Sequence, residues 1–275
     1  MPLCAATNNT TAVSTFGNYY NYWKVDANGF DLTRGHHHNS KVIKSGTKGP
    51  IRLAPKKTAF AIIDMQNFFL HPNYTDFPAG LATIEPIVKT IKAFRKAGAP
   101  VVWAQWGLSD YDILNIPPSY KYSFGTNHDP TKSVGSEMGK LNTSTGVVDM
   151  GRKLVRDQWN TEPYGILGEM YKEGLKSGTD FYFPKNRQSA LWGAQTPLGI
   201  WLEDTEISTL FISGVNIDQC VLGTMNDAYY KGYDFVILED GTATSSPQYA
   251  FDTVIYEANL HGFVVNSTEV VKGMA

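Results

Sequence analysis

Apolar positions along the chain follow two rhythms. Continuous apolar runs of strand length lie at 58–63, 99–104, 180–183, 207–212 and 234–238, with a short last one at 262–265. Runs of this kind predict strands buried on both faces of a parallel sheet. Between them the period becomes helical. Ile84, Ile87, Val88, Ile91 and Phe94 keep i, i+3, i+4, i+7 spacing up to Gly98. Val221, Leu222, Met225, Ala228 and Tyr229 recur in the same way up to Gly232, and Phe251, Val254, Ile255 and Ala258 follow a Ser246-Pro247 start up to Gly262. A further helix is predicted near 197–203. Strand, helix and strand joined by short connections is the order of βαβ units, so the expectation is one α/β domain on an open parallel sheet.

Two stretches break this order. Residues 1–50 are rich in Asn, Thr, Gly and Tyr, hold no sustained period and end in a Lys/Gly/Pro connector; they read as an N-terminal extension ahead of a domain at 51–275. Their aromatics, Phe16, Tyr19, Tyr20, Tyr22, Trp23 and Phe30, are too many for a solvated tail and point to an arm lying against the body or a neighbouring subunit. Residues 107–178 carry Pro117-Pro118, scattered Gly and Ser/Thr clusters, and helical fragments only around 151–157 and 166–175. An insertion of that length is more often the wall or lid of a site than a joint, with Trp159 as a candidate lid residue.

Composition narrows the partners. A chain of 275 residues can bury a substantial core, and its formal net charge is only -2 with no long basic block. Neither a nucleic-acid footprint nor a polybasic membrane anchor is present. No apolar run reaches bilayer-spanning length, and residues 1–13 lack the basic start and apolar stretch of a signal peptide. Cys4 in a polar tail and Cys220 in an apolar segment make no disulfide framework. The expectation is a cytoplasmic protein whose partner is a small molecule. On that expectation the Asn-X-Ser/Thr triplets at Asn8, Asn9, Asn73, Asn142 and Asn266 read as chance. The adjacent His36, His37 and His38 read as solvated rather than metal-binding.

Candidate chemistry gathers at strand ends. Asp64 directly follows the run at 58–63, Lys185 lies just beyond 180–183, and Cys220 closes Ser-Gly-Val-Asn-Ile-Asp-Gln-Cys at 213–220, where a strand hands over to a helix. In an open parallel sheet the carboxyl ends of the strands share one edge, and ligands bind there. A helix N-terminus also favours the thiolate form of a cysteine. Taken singly, the three have plain alternatives: a loop carboxylate, a solvated lysine and a thiol filling the core. Taken together they are the parts of an activated nucleophile.

The Ala-Ile-Ile-Asp-Met-Gln-Asn-Phe-Phe run at 61–69 and the Lys-Asn-Arg-Gln-Ser-Ala-Leu run at 185–191 carry a resemblance. So does Gly-Val-Asn-Ile-Asp-Gln-Cys-Val from Gly214, with Thr224, Asp227, Ala228 and Gly232-Tyr233 after it. Over about 55–270 the chain resembles the isochorismatase-like cysteine hydrolase superfamily, with the order Asp, Lys, Cys kept. The resemblance implies a three-layer α/β/α fold with a six-stranded parallel sheet and a catalytic triad of Asp64, Lys185 and Cys220. It implies a cis peptide between Val215 and Asn216, and an oxyanion hole made by the backbone N–H groups of Asn216 and Cys220. It further implies cofactor-free chemistry: Asp64 takes the thiol proton, Lys185 steadies the negative charge, and the thiolate attacks a small amide to give a thioester that water then cleaves. Assembly into dimers or tetramers is a family expectation as well.

Within the superfamily, nicotinamidases hold zinc through an Asp and two His beyond the second strand. Here 101–112 reads VVWAQWGLSDYD without histidine, so no metal is expected. The cysteine leans toward amide chemistry and away from the vinyl ether of isochorismate hydrolases, some of which lack it. Ureidoacrylate- and biuret-type amidohydrolases are the most similar in style, and Phe30-Asp31-Leu32-Thr33-Arg34 resembles a segment of the former. Two alternatives stand beside this reading: an isochorismate-type ether hydrolase, and a non-catalytic binding protein on the same fold. For the substrate, Phe68, Trp106 and Trp192 are candidate walls for a small planar molecule. Asn67, Gln105 and Gln195 are candidate hydrogen-bonding partners for an amide or urea group.

Overall fold

The computed structural model describes residues 12–46 and 48–275, so the expectations for Cys4, Asn8 and Asn9 lie outside the described residues. The first surprise is at the N-terminus. Strands β1 (Ser14–Gly17), β2 (Tyr22–Asp26), β3 (Gly29–Asp31), β4 (Lys41–Ser45) and β5 (Gly49–Leu53) pair in the order β1-β2-β3-β5-β4. All neighbours are antiparallel except β3 and β5. The pattern is hard to see in the sequence because β1 is exposed along its whole length, while β4 and β5 bury only Ile43, Ser45, Ile51 and Leu53 on one face. Five residues give a two-residue period too little room to stand out. Strand β5 runs through position 50, and Leu32, Ile43, Ile51 and Leu53 join the same apolar cluster as Phe263, Val270 and Met274.

The central sheet comprises β6 (Thr58–Ile63), β7 (Val101–Trp106), β10 (Asp180–Lys185), β11 (Thr209–Val215), β12 (Asp234–Ala243) and β13 (Phe263–Val265). A hairpin of β8 (Lys140–Thr143) and β9 (Gly146–Asp149) stands apart from it. The order is β10-β7-β6-β11-β12-β13, parallel at every pairing. Alternate side chains of each strand enter opposite cores. Phe60, Ile62, Val101 and Trp103 meet the helices Ile84–Ala97, Ile166–Ser177 and Ser267–Met274. Ala59, Ala61, Ile63, Val102 and Ala104 meet Pro197–Asp204, Leu222–Tyr230 and Gln248–His261. The expected three-layer α/β/α fold with six parallel strands is what forms. Chain order reverses between β6 and β11, the kind of switch point at which open parallel sheets bind ligands. Among the described residues no helix is long and apolar enough to cross a membrane.

Two helix expectations need correction. Residues 151–157 are not helical: Gly151, Leu154 and Asp157 have φ of 72, 57 and 62°, left-handed values that no right-handed helix contains. The C-terminal helix Ser267–Met274 was not anticipated; the Asn266 side chain caps it by accepting from the Glu269 N–H at 3.0 Å. The insertion at 107–178 is built from the short helices Asp110–Asn115 and Pro118–Ser123, the β8–β9 hairpin, turns, and the anticipated helix Ile166–Ser177. Side-chain to backbone bonds hold it together. Asn160, fully buried, donates to the carbonyls of Met150 and Arg152 and accepts from the Leu154 N–H. The Lys153 ammonium is buried against the carbonyls of Phe124 and Lys132 and the hydroxyl of Thr126.

Candidate active site

Strand β6 delivers Asp64 to the switch point and then turns sharply. Asp64 has φ 53°, a left-handed value that Asp tolerates better than most residues. Its Oδ1 accepts the Trp106 backbone N–H at 3.0 Å, and its Oδ2 lies 2.8 Å from Lys185 Nζ. Both side chains are almost wholly buried, at 0% and 3% exposed. Burial pushes the Asp64 carboxyl above the ordinary carboxylate range, against the opposing pull of Lys185, Cys220 and the Trp106 N–H.

Lys185 ends β10, two strands from β6 across β7. Its ammonium stays where it is because Trp106 supplies a ring face 4.1 Å away and the Arg187 carbonyl accepts at 3.1 Å. On its other flank lies a cavity of about 270 Å³ lined by Gly107, Ser109, Asp112, Asn186 and Trp192; neither Asp64 nor Cys220 lines it. The loop at 185–191 is tied to the helix Leu222–Tyr230 through Thr224, whose hydroxyl accepts the Ala190 N–H and donates to the Cys220 carbonyl at 2.8 Å.

Cys220 comes from the joint after β11. The Val215–Asn216 peptide is cis, and one turn of π-helix, Ile217–Val221, leads into the helix Leu222–Tyr230. Just before it, Gly214 has φ 112°, and a Cβ there would stand 2.0 Å from the Ile63 carbonyl oxygen. Only glycine lets β11 run this close to β6. The thiol is 4% exposed, and burial pushes it up to about 12. The Lys185 charge lowers it, while the Asp64 charge and hydrogen bond raise it further. Burial therefore opposes the preference for the thiolate that chain position at a helix start suggests. The Trp106 indole N–H lies beside the sulfur and has no other partner among the described residues.

Asp64, Lys185, Cys220 and Trp106 are thus brought together. The remaining sequence candidates divide. Asn67 is buried and donates to the Trp159 carbonyl at 2.8 Å, so it fastens the insertion; Trp159 itself packs on His71. Phe68 is half-buried beside Phe69 and Tyr74. Gln105, one residue before Trp106, points by strand alternation into the opposite core, where its Nε2 donates to the Ile62 carbonyl. Trp192 is 50% exposed and gives its N–H to Asn186 Oδ1, and Gln195 is exposed on the loop before the helix Pro197–Asp204. Asn216 is half-buried, with its Oδ1 accepting the Ser245 N–H.

Gln66 was not anticipated. Its side chain is spent beside Asp64, donating to the carbonyls of Trp106 and Thr161 and accepting the Trp106 N–H. A fully buried glutamine two residues past Asp64 is a signal only once burial is known.

A family model described as Isochorismatase domain matches residues 58–270. The ureidoacrylate amidohydrolase RutB of Cronobacter turicensis is 27% identical over 214 residues, covering 75% of this chain and 83% of the relative. A cysteine hydrolase from Pseudomonas syringae pv. phaseolicola superposes with a TM-score of 0.62 at 17% identity, covering 80% of this chain and 93% of that one. The nicotinamidase PncA from Bacillus subtilis does so with a TM-score of 0.56 at 24% identity, covering 76% and 99%. At these identities the two solved structures establish the fold alone. The family match runs from the first residue of β6 through β13 and into the last helix, so this chain belongs to the Isochorismatase domain family.

Proposed function

We propose that the chain is a cysteine hydrolase that cleaves a C–N bond of a small amide or ureide through a thioester. The observation carrying this reading is the buried Asp64–Lys185 pair at 2.8 Å in contact with the Cys220 thiol at the switch point of the sheet. A buried ion pair touching a thiol has little value as packing, because its desolvation is costly. As a base, a cation and a nucleophile it has a purpose.

With the thiol held up to about 12, sulfur is protonated at rest. Its proton leaves as the carbonyl carbon is attacked. Asp64 Oδ2 receives it, since Oδ1 is committed to the Trp106 N–H. A carboxyl pushed above its ordinary range is also a stronger base for this transfer. Lys185 and the Trp106 indole N–H face the charge that develops. The carbonyl oxygen becomes an oxyanion met by the backbone N–H groups of Asn216 and Cys220, each contributing about 3 kcal/mol. Asp64 then protonates the departing amine, and water deprotonated by the same carboxylate cleaves the thioester. The reading needs no cofactor and places the enzyme in the cytoplasm. As a separate part of the proposal the protein is a homodimer or homotetramer, in which exposed aromatics of the N-terminal segment 1–50, Tyr19 and Tyr20, make the contact while its buried face stays on the domain at 51–275.

The test is an ammonia-release screen over small amides and ureides, with Cys220→Ala as the blank. Turnover by the wild type and none by Cys220→Ala, with both proteins equally folded, is the expected result. Undiminished ammonia release in Cys220→Ala together with loss in Asp64→Asn would overturn the thioester and assign amide hydrolysis by water that Asp64 activates without the thiol.

A further inference from the structure

Three indole N–H groups of this chain are spent on side-chain oxygens. Trp23 donates to Asp234 Oδ1 at 2.6 Å, Trp103 to Asp180 Oδ2 at 2.8 Å and Trp192 to Asn186 Oδ1 at 3.0 Å. Trp106, on the same strand as Trp103, differs. Its side chain is fully buried, and among the described residues its Nε1 has no hydrogen-bond partner. A buried donor left unpaired costs free energy, so its retention in so enclosed a place asks for a use.

Trp106 meets each of the three reacting groups with a different part of itself. Its backbone N–H donates to Asp64 Oδ1 at 3.0 Å, its ring face lies 4.1 Å from Lys185 Nζ, and its indole N–H lies beside the Cys220 sulfur. Strand alternation puts it there, since Val102, Ala104 and Trp106 share the face of β7 that meets the core containing Cys220. Phe124 and Tyr120 close on the ring from the insertion, with centroids 5.2 and 6.2 Å away, and hold the indole in place. A neutral thiol is a weak acceptor and leaves this donor nearly idle, whereas a hydrogen bond to an ionised acceptor is a strong one. A bond gained only in the charged state lowers the cost of reaching that state.

We propose that Trp106 is a further catalytic residue, its indole N–H donating to the Cys220 sulfur as the thiolate forms. This rests on the hydrolase reading above and adds a fourth side chain to the reacting group. The thiol proton passes to Asp64 Oδ2, the indole keeps its own hydrogen, and the sulfur gains one N–H contact beside the Lys185 charge. Lys185 over the ring draws electron density from it and polarises the N–H, so the two effects reinforce each other. A donor unpaired at rest also sets stability against reactivity. Removing the N–H without altering the shape leaves stability unchanged or raises it, while the nucleophile weakens.

The test replaces Trp106 by β-(3-benzothienyl)alanine, which keeps the two-ring shape and puts sulfur where the N–H was. Alkylation by iodoacetamide is followed at one pH on the peptide that carries Cys220, so that Cys4 does not contribute, and the melting temperature is measured alongside. The expected result is alkylation about 3- to 10-fold slower than in the wild type. That is the net of a smaller thiolate fraction and a partly compensating rise in its nucleophilicity. The variant should melt at or above the wild-type temperature. Alkylation at the wild-type rate overturns the proposal. So does slower alkylation together with a lower melting temperature, which would make the N–H a structural bond. The two readings fail separately. Undiminished ammonia release from Cys220→Ala removes the thioester chemistry and leaves the alkylation comparison standing, and equal alkylation rates leave Cys220-dependent ammonia release intact.

Discussion

The sulfur of Cys220 sits in a nearly closed shell, next to one negative and one positive side chain, and its proton affinity follows from what surrounds it. With the thiol at about 12, the thiolate fraction grows about tenfold per pH unit through the neutral and mildly alkaline range. Alkylation of Cys220 by iodoacetamide should therefore accelerate about tenfold per unit between roughly pH 7 and 10. A rate that is already flat at neutral pH would show a preformed thiolate and contradict this. Slow labelling at pH 7 is thus no sign of an inert site. Asp64 makes the second pH prediction. Its carboxyl is raised from 3.8 by burial, and the base form is the carboxylate. The protonated, inactive form consequently persists to higher pH, and kcat/KM should fall on the acid side with a midpoint above 3.8. A midpoint at or below that value would mean that Lys185 dominates burial. Gly214 is the residue where backbone alone decides. Alanine there meets both φ 112° and the Ile63 oxygen, so Gly214→Ala should cost about 3–5 kcal/mol, read as a large drop in melting temperature.

Among the elements, those buried on both faces declare themselves in the sequence. β6, β7 and β11 are apolar at nearly every position because water reaches neither side, and the register of their ends is readable to within two or three residues. From those ends the grouping of Asp64, Lys185 and Cys220 follows by topology alone. Elements held by polar bonds stay hidden. Nothing in the spelling of 133–161 says that Asn160 will take three backbone partners from Met150, Arg152 and Leu154, and the helix expected at 151–157 yields to that arrangement. The roles of Gln105 and Asn67 were equally illegible, since strand alternation turns one away and a carbonyl of the insertion occupies the other. Asn160→Ala tests the account of the insertion. Three buried backbone groups would lose their partner at about 1–3 kcal/mol each where water does not replace it. Limited proteolysis should then cut within 133–161 well before the central sheet unfolds. Wild-type resistance in that segment would show that the hairpin and apolar contacts hold it without Asn160.

At the scale of the whole molecule, the end of the sheet opposite the site carries a second buried ion pair. Asp234 begins β12, and its carboxylate accepts from both Arg34 nitrogens at 2.7 and 2.8 Å, from the Trp23 indole at 2.6 Å and from the Thr209 hydroxyl at 2.8 Å. Arg34 and Trp23 belong to the N-terminal segment, Thr209 to β11, so one carboxylate ties the small sheet to two strands of the large one. Trp23 and Phe30 add ring contacts to Phe263 at 5.4 and 5.2 Å. Removing one partner of such a pair strands the other charge in the interior, which costs about 3–5 kcal/mol. Arg34→Met keeps the apolar stem and should lower stability by that amount in denaturant unfolding. The unfolding should remain a single transition, because the two sheets share one apolar cluster. Adding Asp234→Asn removes the stranded charge and should restore part of the loss, a non-additivity that a double-mutant cycle measures directly. Because this clamp lies at the amino ends of β11 and β12, kcat/KM per folded molecule should stay at the wild-type value. Release of the N-terminal segment to protease with no change in the main transition would mean instead that the small sheet is an appendage, docked on the domain and not part of its cooperative core.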